Sequence, residues 1–155
     1  MQTMRKATHQ APPVHTIDRL VRNIEHGRFE RMLSGLTAFG AAMVCAEVYY
    51  EHYRASFGNK FMWSPVVVTP PILLAGIAGV FSRRAAKTLL PVSALVYVLT
   101  GAEGLFFHTR GILRKPGGWR HAWYNVVMGP PAMAPMLFAM VGGMGLLASL
   151  LRRED

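Results

Sequence analysis

Glutamate, histidine and arginine recur together at the ends of two apolar runs in this chain. Those three residue types in one place can bind a metal, carry a proton or pair with one another. The first set reads Ala46-Glu47-Val48-Tyr49-Tyr50-Glu51-His52-Tyr53-Arg54. Fifty-six residues later the chain reads Ala102-Glu103-Gly104-Leu105-Phe106-Phe107-His108-Thr109-Arg110, so both follow Ala-Glu-x4-His-x-Arg. Carboxylate with imidazole suits Fe, Mn or Zn. That makes Glu47, His52, Glu103 and His108 the candidate metal ligands, with Glu51, Arg54 and Arg110 as their supporting neighbours. A haem on His52 and His108 is the weaker fit, because both histidines stand at the edge of an apolar run.

Helical geometry constrains the arrangement. Glu47 and His52 are five residues apart, about 140° around a regular helix. Glu47 and Arg54 are seven apart and nearly eclipsed, as are Glu103 and Arg110. The spacing therefore favours two carboxylates meeting near a shared axis, with Arg54 and Arg110 above them. The histidines reach such a site only if the helix ends loosen; otherwise they can bond carbonyls freed near the prolines.

A second shared pattern follows each set. Gly58 to Pro71 carries Gly-x4-Trp-x2-Val-Val-x2-Pro-Pro, and Gly118 to Pro131 carries the same at an offset of 60. The two windows share 4 of 9 and 6 of 14 positions, against about one in fifteen for unrelated segments. This is the pattern of an internal duplication. Pro70, Pro71, Pro130 and Pro131 withhold backbone N–H groups, so they are the expected helix breaks, and the carbonyls one turn earlier need another partner or a polar cavity.

The elements that must position these residues are long and apolar. Of 155 residues 52% are hydrophobic and 16% charged. Four runs, roughly Met32 to Tyr50, Phe61 to Phe81, Thr88 to Phe107 and Val126 to Leu151, are near or above the 20 or so residues that cross a bilayer as a helix. The expected fold is an all-α membrane protein: four transmembrane helices as two tandem two-helix repeats with parallel pseudo-twofold symmetry. Residues 1–31 form a cytoplasmic segment, residues 32–84 the first repeat and residues 85–155 the second.

In the leading segment, a polar stretch to Val14 precedes a short amphipathic helix with Ile17, Leu20, Val21 and Ile24 at helical spacing, ending at His26-Gly27. No apolar core with small residues after it marks a cleavable leader, so the first helix serves as its own signal. Ser34, Ala38, Ala42 and Ala46 form a small-residue stripe for close packing, and Gly76, Gly79, Gly142, Gly143 and Gly145 serve the same end. Tyr49, Tyr50, Tyr53, Phe106 and Phe107 read as an interfacial aromatic belt. Met133, Met136, Met140 and Met144 fit packing better than a soft-metal path, and Cys45 fits packing.

The net charge of +9 does not point to nucleic acid, because the basic residues flank the apolar runs. Eleven Lys and Arg fall on the side of the termini and six on the side of the two motif-bearing connections. Positive-inside bias then puts both termini in the cytoplasm of a multi-pass inner-membrane protein. No phosphate loop, dinucleotide fingerprint, nucleophile elbow or Cys-x-x-Cys is present. Three functions remain open: a metal-binding or redox membrane subunit, a small proton-coupled transporter, or a membrane anchor or assembly subunit without site chemistry. The expected partners are the lipid bilayer and a homodimer or larger membrane complex.

Overall fold

A computed structural model describes residues 16–152, which form helices and no strand. The polar stretch through Val14, with Arg5 and Lys6, and also Arg153, lie outside the described residues. The elements are α1 (Thr16–Glu25), α2 (Arg28–Arg54), α3 (Ser64–Phe81), α4 (Arg83–Leu113), α5 (Ala122–Val127) and α6 (Ala134–Leu151). Short 3-10 turns, Lys60–Trp63 and Gly118–His121, precede α3 and α5. Four helical stretches are long and apolar enough to cross a membrane: α2, α3 with its leading turn, α4 and α6.

Each boundary has a local cause. Gly27 separates α1 from α2 by taking the left-handed conformation, φ 64°, which costs glycine nothing. A single extended residue, Ser82, turns α3 into α4, and its hydroxyl caps the new helix by accepting from the Ala85 N–H. α4 has 31 residues and so runs to about 46 Å, well beyond the roughly 30 Å hydrocarbon core. It is therefore longer than a span of that layer needs.

The two proline pairs behave differently. α3 runs unbroken through Pro70 and Pro71, contrary to the expected break there. The Thr69 hydroxyl, just ahead of the pair, donates to the Pro65 carbonyl at 2.7 Å. Pro130 and Pro131 do stop the helix: the chain leaves α5 after Val127 and resumes at Ala134. Gly129 precedes this pair, and its conformational freedom together with the bias of a residue before proline favours leaving the helix there. The expected fourth run, Val126 to Leu151, is thus a full-length helix only from Ala134 onward.

α2, α3, α4 and α6 pack antiparallel in sequence. α3 closes on α2 at Gly76, where an added Cβ would lie 2.9 Å from the Ser34 carbonyl and 3.0 Å from Ala38. α6 closes on α4 at Gly142, where it would lie 2.8 Å from the Ala94 carbonyl and 2.7 Å from the Val98 side chain. Of the glycines expected to allow packing, Gly143 does not, since nothing lies within 4 Å of its would-be Cβ. The small-residue stripe of α2 is used in part: Ser34 and Ala38 are buried against α3, while Ala42, Cys45 and Ala46 line an apolar groove of about 380 Å³ with Thr69, Pro70 and Leu73. Ala41, Ile72, Ala94, Tyr97 and Phe138 fill the centre, each at most 2% exposed.

The bundle consequently has a terminal end, where Arg28, Ser82 and Arg152 gather, and a motif end, where the connections after α2 and α4 lie.

Candidate functional site

The motif end is built by side chains that tie each connection down. His52, near the C-terminus of α2, donates from Nδ1 to the Met62 carbonyl at 2.8 Å, just ahead of α3. His108, near the C-terminus of α4, does the same to the Pro131 carbonyl at 2.8 Å, just ahead of α6. The second is one of the outcomes the spacing allowed, a histidine bonded at the prolines. A carbonyl can only accept, so each ring carries a proton on Nδ1 in these bonds, and in the neutral tautomer the lone pair is on Nε2.

Aromatic rings hold the first connection. Ser56 and Phe57 take positive φ values of 56° and 45°, a conformation that non-glycine residues adopt only when held. Phe57 is held: it stacks on Trp63 at 4.1 Å and meets Tyr49 and the edge of His52. Phe61 stacks on Phe107 at 4.8 Å, joining this connection to α4. In the second connection, buried Asn125 donates to the Pro116 and Gly118 carbonyls, and Lys115 donates to the Met128 carbonyl.

The carboxylates separate. Glu103 accepts from the Ser64 hydroxyl at 3.1 Å, at the start of α3. Glu51 pairs with Arg54 at 3.1 Å on the exposed side of α2, and Arg54 also lies over the Tyr50 ring. Arg110 is exposed. Glu47 is exposed too, and among the described residues no hydrogen bond or ion pair reaches it. It lies seven residues beyond Gly40, which packs on Val141 of α6, so it projects from the α6-facing flank of α2 level with the first turn of α6. Ser64-Pro65 opens α3 and Ala134-Pro135 opens α6. The hydroxyl that serves Glu103 has no counterpart at Ala134.

Among the described residues no group of three or more His, Cys, Asp or Glu side chains is placed to hold a metal ion. Glu47, His52, Glu103 and His108 thus share one end of the bundle without forming such a set. The reason is rotational: five residues separate each Glu from its His, and both helices remain regular through the motif, so the histidines and the carboxylates leave on different faces.

The sequence reading passed over two buried charges at the terminal end. Glu30 is 0% exposed, with neither carboxylate oxygen hydrogen-bonded. Arg152, 1% exposed, donates to the Gly79 carbonyl at 2.7 Å. The signal for Glu30 was present: the stripe Ser34, Ala38, Ala42, extended back one turn, lands on it. Tyr97, 0% exposed in the centre, reaches the Thr69 hydroxyl at 3.4 Å and stacks on Phe138.

No family model matches the chain, and no curated protein or solved structure matches it.

Proposed function

We propose that this chain is a multi-pass membrane subunit whose work is assembly: it offers a rigid motif end and an apolar flank to other membrane proteins and carries out no reaction itself. The observation behind this reading is the use of the duplicated residues. His52 and His108 each fasten a helix end to the carbonyl ahead of the next long helix, and Glu103 fastens α4 to α3. Residues that looked chemical hold connections in place. Around them stand exposed aromatic and basic side chains, among them Tyr53, Trp119, Trp123, Arg114 and Arg120, the composition of a docking surface at a membrane boundary.

The finer architecture belongs to the same proposal. α2–α3 and α4–α6 are two copies of one unit about a pseudo-twofold axis along the membrane normal; the paired histidine ties and the paired glycine contacts at Gly76 and Gly142 support this. Both termini face the cytoplasm of the inner membrane, in keeping with the distribution of Lys and Arg. α1 lies on the membrane surface, supported by the exposure of Ile17, Leu20 and Val21 along it. The test is the mass of the particle extracted from its native membrane in lipid nanodiscs. A stoichiometric second polypeptide beside the 17.2 kDa chain is the expected result, and a bare monomer would end the assembly reading.

A metal held by His52 and His108 is the second reading. One observation favours it: the Nδ1 bonds to carbonyls orient each ring and leave Nε2 open, as the outer partners of ligating histidines do. Fe, Mn or Zn fits imidazole, and a haem would need only these two ligands. Metal analysis and an absorption spectrum of detergent-purified protein decide it. Metal or a chromophore near one per chain, lost in a His52→Ala, His108→Ala double variant, would replace the assembly reading with this one.

A further inference from the structure

The bundle leaves one carboxylate without a partner on an apolar flank. Glu47 is exposed on α2, within a helix long and apolar enough to span a membrane. Toward the middle of the helix the flank is hydrocarbon and thioether, with Met43 of α2 and Met140 of α6 exposed and Met133 just ahead of α6, while Tyr50, Glu51 and Arg54 stand one to two turns beyond Glu47. A charged side chain facing lipid is costly, and in membrane bundles such groups pair with one another or face polar cavities. Its duplicate Glu103 has the Ser64 hydroxyl 3.1 Å away, a proton it shares with the Phe61 carbonyl at 2.9 Å. Glu47 has Ala134 at the matching helix start, and the nearest cation on its own face, Arg54, is held by Glu51 and Tyr50.

Resting on the assembly reading, we propose that this flank docks a membrane helix of another protein that carries a lysine or arginine at the depth of Glu47. A second copy of the chain fits poorly. In a parallel two-fold contact through this flank, each copy brings Glu47 to the level of the other's Glu47, and Arg54 is already engaged. A basic side chain supplies the missing charge, and the methionines around Glu47 give an adaptable surface for the rest of the helix. The pair adds selection by charge to the apolar contact.

The full chain is reconstituted in phosphatidylcholine vesicles with a donor fluorophore at its C-terminus. The probe is a synthetic leucine-rich single-span peptide with an acceptor and one lysine about seven residues from its end; the control peptide has leucine throughout. Energy transfer is measured for wild type, Glu47→Gln, Glu47→Asp and Glu103→Gln. The lysine peptide should associate about tenfold more tightly with wild type than with Glu47→Gln. Preference kept in Glu47→Asp and Glu103→Gln separates lost charge from a disturbed fold. Equal association of the two peptides with wild type, or a preference unchanged in Glu47→Gln, overturns the proposal. Because the native particle mass is read separately, a heavy particle without lysine preference removes this docking site and leaves the assembly reading standing.

Discussion

His52 and Glu30 show how much a residue's role depends on what its polar atoms meet. The His52 ring holds the turn before α3 through one bond to Met62, so removing it should free that turn without melting the bundle. In His52→Ala, trypsin should cut at exposed Lys60 several times faster than in wild type, while the far-UV spectrum stays helical. Unchanged cleavage would mean that the Phe57 and Trp63 stack alone holds the turn. Glu30 presents the opposite case, a buried carboxylate whose oxygens have no hydrogen-bond partner. A buried carboxyl group without a hydrogen-bond partner costs on the order of 1–3 kcal/mol before any compensation. Glu30→Met, which removes the unpaired polar atoms at similar length, should therefore raise the thermal midpoint by a few degrees, the scale of about 1 kcal/mol in a chain this size. A fall would show that the carboxylate has a stabilising neighbour.

Among the helices, adjacent glycines in α6 provide an internal control. Gly142 sits against the backbone of α4, and Gly143 faces open space. Gly142→Ala should lower stability by roughly 1–3 kcal/mol, since the new methyl meets backbone atoms that cannot move aside. Gly143→Ala should be neutral or better by up to about 1 kcal/mol from helix propensity. Thermal or denaturant melts in one detergent compare the pair directly, and equal effects would place the α4–α6 contact elsewhere. The proline pairs make a second contrast at this scale. Thr69 precedes the pair that α3 runs through, whereas Gly129 precedes the pair at which the chain breaks. The added backbone freedom of Thr69→Gly should loosen α3 around Pro70 and Pro71, seen as faster amide exchange at Ile72 and Leu73.

For the molecule as a whole, orientation is the open physical variable. The bias of Lys and Arg toward the terminal end predicts that reporters fused at Lys115 and at the C-terminus read opposite sides of the membrane. Reporters on the same side would overturn the antiparallel arrangement of α4 and α6 across a bilayer. The bundle interior also bears on function. Tyr97, Phe138 and Ile72 close the centre, and the buried charges Glu30 and Arg152 lie at the terminal end while Glu47 and Glu103 lie at the motif end. The carboxylates and Arg152 thus lie toward the two ends, while the polar groups in the middle are hydroxyls such as Thr37, Thr69 and Tyr97.

Hydrophobic run length and the turn residues determined the all-helical architecture, the four long helices and the junction at Gly27, because those are local properties of each segment. The recurrence of Glu, His and Arg marked residues that share one end of the bundle. Which of them meet was decided only in three dimensions. The spacing allowed two carboxylates at a common axis, but the rotation of α2 and α4 set by Gly76 and Gly142 sends Glu103 to Ser64 and leaves Glu47 outside. α2 and α4 extend past their apolar runs, whereas α3 and α6 start later than theirs. The two proline pairs have the same sequence and different outcomes, one inside a continuous helix and one at a break. Packing sets the rotation and register of one helix against another, and no single segment of the chain encodes either by itself.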